Sequence, residues 1–97
     1  MNKLTFSEVI FYSQKDEDIF FNWFEGLSST RGIIGDRSDI VVTTSARVDD
    51  QELREMLAIF RRYSLDMSQL SCYCTEDNAS WFRDRNKNWY EDVFEAS

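Results

Sequence analysis

Histidine is missing from all 97 residues. Its absence excludes Ser-His-Asp and Cys-His nucleophile pairs and nearly all zinc and non-haem iron sites. Cysteine is limited to Cys72 and Cys74, and two thiols cannot complete a four-ligand metal site. On a strand, the C-x-C spacing points both side chains to one face with Cα atoms roughly 7 Å apart, the limit for a disulfide. Reduced, buried thiols in a cytosolic strand are therefore expected. Proline is absent, and the three glycines, Gly26, Gly32 and Gly35, build no phosphate-cradling loop. Gly32-Ile33-Ile34-Gly35 lacks both the Lys-Ser/Thr of a P-loop and the spacing of a dinucleotide fingerprint. Long apolar runs are lacking too: uncharged stretches such as Ile40–Ala46 fall far short of the ~20 residues that span a bilayer. Ser7 and Glu8 interrupt Met1–Gln14, where a secretory signal would carry a basic start and an apolar stretch. A cytoplasmic protein with no membrane partner is expected.

What is present suits one folded domain, residues 1–97. The composition is 42% hydrophobic and 15% aromatic, which excludes disorder. At this mass about 65% of the unfolded chain's surface can be buried, enough for one core and too little for two domains. Eleven Lys and Arg face eighteen Asp and Glu, a net charge of −7. Such a chain repels phosphate backbones and anionic lipid at long range and attracts basic partners, although the same charge also serves solubility. Carboxylates alone can run acid–base chemistry, as in glycosidases. A sugar cleft needs walls that this length hardly supplies, so no enzymatic activity and no cofactor are expected.

Leu4 to Tyr12 alternates as a strand, with Leu4, Phe6, Ile10 and Tyr12 on one side and Val9 and Phe11 on the other. Asp16 to Leu27 reads as a helix with Phe20, Trp23, Phe24 and Leu27 at core-facing spacing, started by Ser13 or Gln14. Thr30 to Ser38 reads as a loop carrying Arg31, Asp36 and Arg37. Asp39 to Ala46 reads as a strand, since Ile40 to Thr44 are all β-branched. Asp49 and Glu52 form a capping box for a helix over Asp50 to Tyr63, with Val48 placed to staple onto Leu53. Its buried stripe is Leu53, Met56, Leu57 and Phe60, and Arg61 and Arg62 suit its negative end. Leu70 to Cys74 is a third strand, with Leu70, Cys72 and Cys74 inward and Tyr73 outward. Asp77 or Asn78 caps a short helix carrying Trp81 and Phe82, and Asn88 to Phe94 forms a last turn or helix. The expected fold is α+β: a small single-layer sheet of about three strands packed against three to four helices.

The run from Ile59 through Phe60-Arg61-Arg62-Tyr63 and on to Leu70, then Asn78-Ala79-Ser80-Trp81-Phe82, Trp89 and Val93-Phe94, resembles small bacterial proteins. Among these are the immunity proteins of contact-dependent growth inhibition systems. The resemblance covers residues 59–94 and consists mostly of packing residues. It implies a small protein that protects the producing cell by binding the toxic C-terminal nuclease of a very large secreted protein. No binding residue of the family is carried over.

The physics is compatible with that role. Nuclease clefts are basic because they bind phosphate, and a small acidic protein can occlude one, with charge raising the association rate. Tight inhibitor complexes bury only about 800 Å² per partner. Candidate toxin-binding residues are Asp16, Glu17 and Asp18, Asp36 and Asp39, Glu76 and Asp77, and Trp89. The first three also fit the positive end of a helix, and Asp36 and Asp39 flank a loop with arginine neighbours. Glu76-Asp77 has the weaker structural reason, since one residue suffices as a cap. Adjacent Trp89 and Tyr90 cannot both face inward, which leaves one as an interface anchor. The basic clusters Arg61-Arg62 and Arg83-x-Arg85-x-Lys87 are flanked by acids, which argues against direct nucleic-acid binding. The expected function is thus a cytosolic immunity protein that occludes a cognate basic toxin domain, with the monomer favoured. The alternative is a small regulatory, adaptor or phage-type inhibitor protein acting through protein–protein binding.

Overall fold

The computed structural model describes residues 1–36 and 39–95. It is an α+β protein with a three-stranded antiparallel sheet and several helices. Its contacts divide it into two compact units, Met1–Val48 and Asp49–Ser97.

The first unit holds β1 (Asn2–Ser7), α1 (Gln14–Glu25), β2 (Thr30–Asp36) and β3 (Asp39–Thr44). The sheet order is β1-β3-β2, so the β-branched strand is central and takes partners on both edges. Leu4 and Phe6 of β1 stand opposite Val42 and Ile40, and all four are buried. Period-two alternation gives β3 an inward Ile40-Val42-Thr44 face. α1 supplies Phe20 and Phe24, both 0% exposed. Phe6 meets their rings at centroid distances of 6.1 and 5.8 Å, and the two helix rings lie 5.1 Å apart. Trp23, on the expected stripe, is only half-buried.

Two readings of this unit change. The first strand stops at Ser7, not Tyr12, because Glu8 takes a φ of 57° in the left-handed region and breaks the pleat. Ile10 and Tyr12 are consequently 67% and 88% exposed rather than part of the Leu4 face. The segment from Thr30, expected as a loop, is the edge strand β2 as far as Asp36. Glycines and charges hid it, but an edge strand needs only β3 beside it. A bulge at Thr30/Gly32 accommodates Arg31, whose guanidinium donates to the Ser28 carbonyl at 2.8 Å. Arg37 lies outside the described residues.

The second unit begins with α2 (Asp50–Arg62). The Asp49 carboxylate accepts the Glu52 amide at 2.8 Å, capping it as expected. The helix closes on a Schellman arrangement: Leu65 N–H donates to the Phe60 carbonyl and Ser64 N–H to that of Arg61, with Ser64 at φ 55°. Next comes a 3-10 helix, Met67–Tyr73, where a strand was expected from Leu70. Its buried residues Met67, Leu70 and Tyr73 follow a period of three, as side chains on a three-residue turn must. The inward residues are thereby exchanged: Tyr73 is 0% exposed and Cys72 faces solvent. α3 (Ala79–Phe82) and α4 (Tyr90–Phe94) complete the unit. Both α2 and α4 pack on the 3-10 helix, and Phe94 joins Phe82 and Tyr90 at 5.0 and 5.5 Å.

Candidate functional site

Some of the acidic candidates carry a structural duty at the start of α1. Ser13 Oγ accepts the Asp16 amide at 3.1 Å while the Asp16 carboxylate accepts the Tyr12 amide at 3.3 Å. This reciprocal cap makes Asp16 part of the α1 start. Asp18 accepts from Gln14 Nε2 at 3.0 Å one turn away. Glu17 is half-buried in the same first turn. Asp36 and Asp39 are register partners where β2 meets β3, and Asp39 also stands opposite Ser7.

Glu76 and Asp77 are placed differently. They occupy the exposed tip of a turn, and among the described residues neither carboxylate takes part in a hydrogen bond or ion pair. The turn is held from below by Asn78, which is 2% exposed. Its side-chain oxygen accepts the Thr75 amide at 2.8 Å, its own amide donates to Thr75 Oγ1 at 3.3 Å, and Nδ2 donates to the Tyr73 carbonyl at 2.9 Å. Asn78 thus occupies the N-cap position of α3 but spends its side chain on the preceding turn.

Trp89 is not a protruding side chain. It is half-buried, donates Nε1–H to the Phe82 carbonyl at 2.7 Å, and meets Trp81 edge-to-face at 6.1 Å. Its neighbour Tyr90 is buried, so the two adjacent aromatics do separate.

Trp89 forms one wall of an open pocket of about 360 Å³, with Arg54, Leu57, Ala58, Arg61, Met67 and Asn88 as the other lining residues. The four α2 residues fall at i, i+3, i+4 and i+7, one stripe of one helix face. Leu57 and Met67 are buried and form the apolar floor. Ala58, small and exposed, leaves the hollow. The two arginines bracket it roughly 10 Å apart along the helix axis. Arg61 is committed: Nη2 lies 3.3 Å from Asp92 Oδ2 and 3.3 Å from the Asn88 carbonyl. Arg54 lies flat over Trp81, 4.2 Å from the ring centroid, with no carboxylate partner among the described residues. Lys87 Nζ stands 5.9 Å from the Trp89 ring.

Sequence reasoning missed this pocket. The Arg54-Leu57-Ala58-Arg61 spacing was readable, but Leu57 was assigned to the core and Arg61 to the helix dipole. Nothing local brings Met67 and Asn88 to that face.

Among the described residues no helix is long and apolar enough to cross a membrane. A small α+β protein with an acidic turn tip and an apolar, arginine-flanked pocket is the class that the geometry defines. Searches against family models, curated proteins and solved structures return no match to this chain.

Proposed function

We propose that this chain is an immunity protein, a non-enzymatic inhibitor that docks on a cognate basic toxin domain and occludes it. The observation that supports this reading is the Glu76–Asp77 tip. It carries two exposed carboxylates free of capping duty on a turn that buried Asn78 makes rigid. A preorganised charged prong loses little entropy on binding and steers encounter with a positive cleft. The resemblance over residues 59–94 points the same way. A tagged pull-down from the producing cell tests it, with intact-mass identification of the retained species. A basic protein domain at near-stoichiometric yield is expected, and recovery of RNA alone or of nothing rejects the proposal.

The pocket favours a second reading, a small regulatory or adaptor protein acting through protein–protein binding. An apolar floor beside an arginine suits a recognition module as well as an inhibitor. A bound partner that carries no toxic activity would support it.

A further inference from the structure

We infer that the α2 pocket is a binding site for an apolar or aromatic carboxylate, with Arg54 as the anion contact and Leu57, Met67 and Trp89 as the apolar seat. The inference does not rest on the toxin-binding proposal, whose supporting observation is the Glu76–Asp77 tip, because neither of those residues lines the pocket.

Arg54 carries the anion half of the argument. A guanidinium stacked on an indole is held in one plane and keeps its in-plane N–H donors, which match a carboxylate bidentately. Its stacking distance is 4.2 Å, and among the described residues no carboxylate occupies those donors. At the far end Arg61 already has Asp92 and the Asn88 carbonyl, so the pocket is polarised, with one open cation and one neutralised.

The walls carry the apolar half. Trp89 has given its only polar hydrogen to the Phe82 carbonyl at 2.7 Å, so it offers the pocket ring carbon. Leu57 and Met67 add aliphatic surface beneath it. A volume near 360 Å³ lies in the lower part of the range of small-molecule sites and admits one ring-bearing group. A simple inorganic anion would leave that surface unused, and a cation would meet two guanidinium groups.

A free aryl acid and the C-terminal residue of a peptide share this chemistry. Titration of the full-length, isotope-labelled chain with phenylacetate into the millimolar range, followed by amide and indole N–H signals, tests the site. Saturable shifts are expected for the Trp89 indole and for the amides of Ala58 and Asn88. Arg54→Gln should weaken phenylacetate by roughly tenfold or more, the loss of one charge-assisted pair, with neutral phenylacetamide unaffected. Ala58→Phe, a change at an exposed position, should fill the hollow and abolish both. Phenylacetamide binding as tightly as phenylacetate overturns the inference. So does the absence of saturable shifts, or Ala58→Phe folding normally and binding unchanged. An acetylated tripeptide ending in a free phenylalanine, compared with its C-terminal amide, separates the sources: a free peptide acid tighter than phenylacetate assigns the site to chain termini, and the reverse assigns it to free acids.

Discussion

Ser64 holds a φ of 55°, where any Cβ crowds the backbone and glycine does not. Ser64→Gly keeps the Schellman closure of α2 and is expected to raise stability by about 0.5 kcal/mol, the relief of strain less the added freedom of the unfolded chain. A higher urea midpoint at unchanged slope would show it. At the opposite helix end, Asp49→Ala removes the acceptor of the Glu52 amide and should cost about 1 kcal/mol. Asp18→Ala, which removes an exposed one-turn hydrogen bond with Gln14, should stay within about 0.5 kcal/mol. Cys72 Sγ–H donates to the Gln69 carbonyl at 3.2 Å. Partial burial of the sulfur pushes the thiol above its ordinary value, against a hydrogen bond from Cys72's own backbone that lowers it, although the residue as a whole is exposed. A raised folded-state value means that the thiol's contribution is fully present below the unfolded value near 9.0 and declines as pH rises through the folded one. The melting temperature of Cys72→Ser should therefore fall less between neutral and strongly alkaline pH than that of the parent chain.

Among the elements, α2 was the most legible because its signals are local: a capping box, a 3.6-residue apolar stripe and arginines in the last turn. β3 was legible for a similar reason, a run of β-branched residues. β2 and the 3-10 helix were not. An edge strand with glycines at 32 and 35 has weak intrinsic preference and is fixed by pairing with β3. Met67, Leu70 and Tyr73 spell a period of three, but Leu70, Cys72 and Cys74 spell a period of two within the same stretch. The choice fell to the larger side chain, since burying Tyr73 removes far more apolar surface than burying two thiols. Asn78 then ties that helix to the next. Asn78→Ala would remove the acceptor of the Thr75 amide and the side-chain donor to the Tyr73 carbonyl. It should destabilise by about 1–3 kcal/mol, measured by denaturant unfolding.

For the molecule as a whole, charge is the property on which the proposed inhibitor role draws most directly. The formal charge is −7, and a complex steered by it should associate several-fold more slowly at physiological than at low ionic strength while dissociating at nearly the same rate. Glu76→Lys with Asp77→Lys should slow association with a basic toxin domain, if the proposed role holds, and leave the melting temperature close to that of the parent chain, because among the described residues neither carboxylate holds the turn. Stopped-flow association beside a thermal melt separates the two effects. An unchanged association rate would move the interface away from this tip.

The sequence by itself determined the class of fold and its two strongest elements, because periodicity and caps act within a few residues. It also named Glu76 and Asp77 as acids with little structural excuse. Formation of α1, a local event, engages Asp16, whose carboxylate the Tyr12 amide reaches one turn away, whereas tertiary structure decided the pocket. It alone brought Met67, Asn88 and Trp89 against the Arg54-Ala58 face. A pocket is a property of the space between elements, and that space is set by how lining side chains such as the buried Leu57 and Met67 pack there.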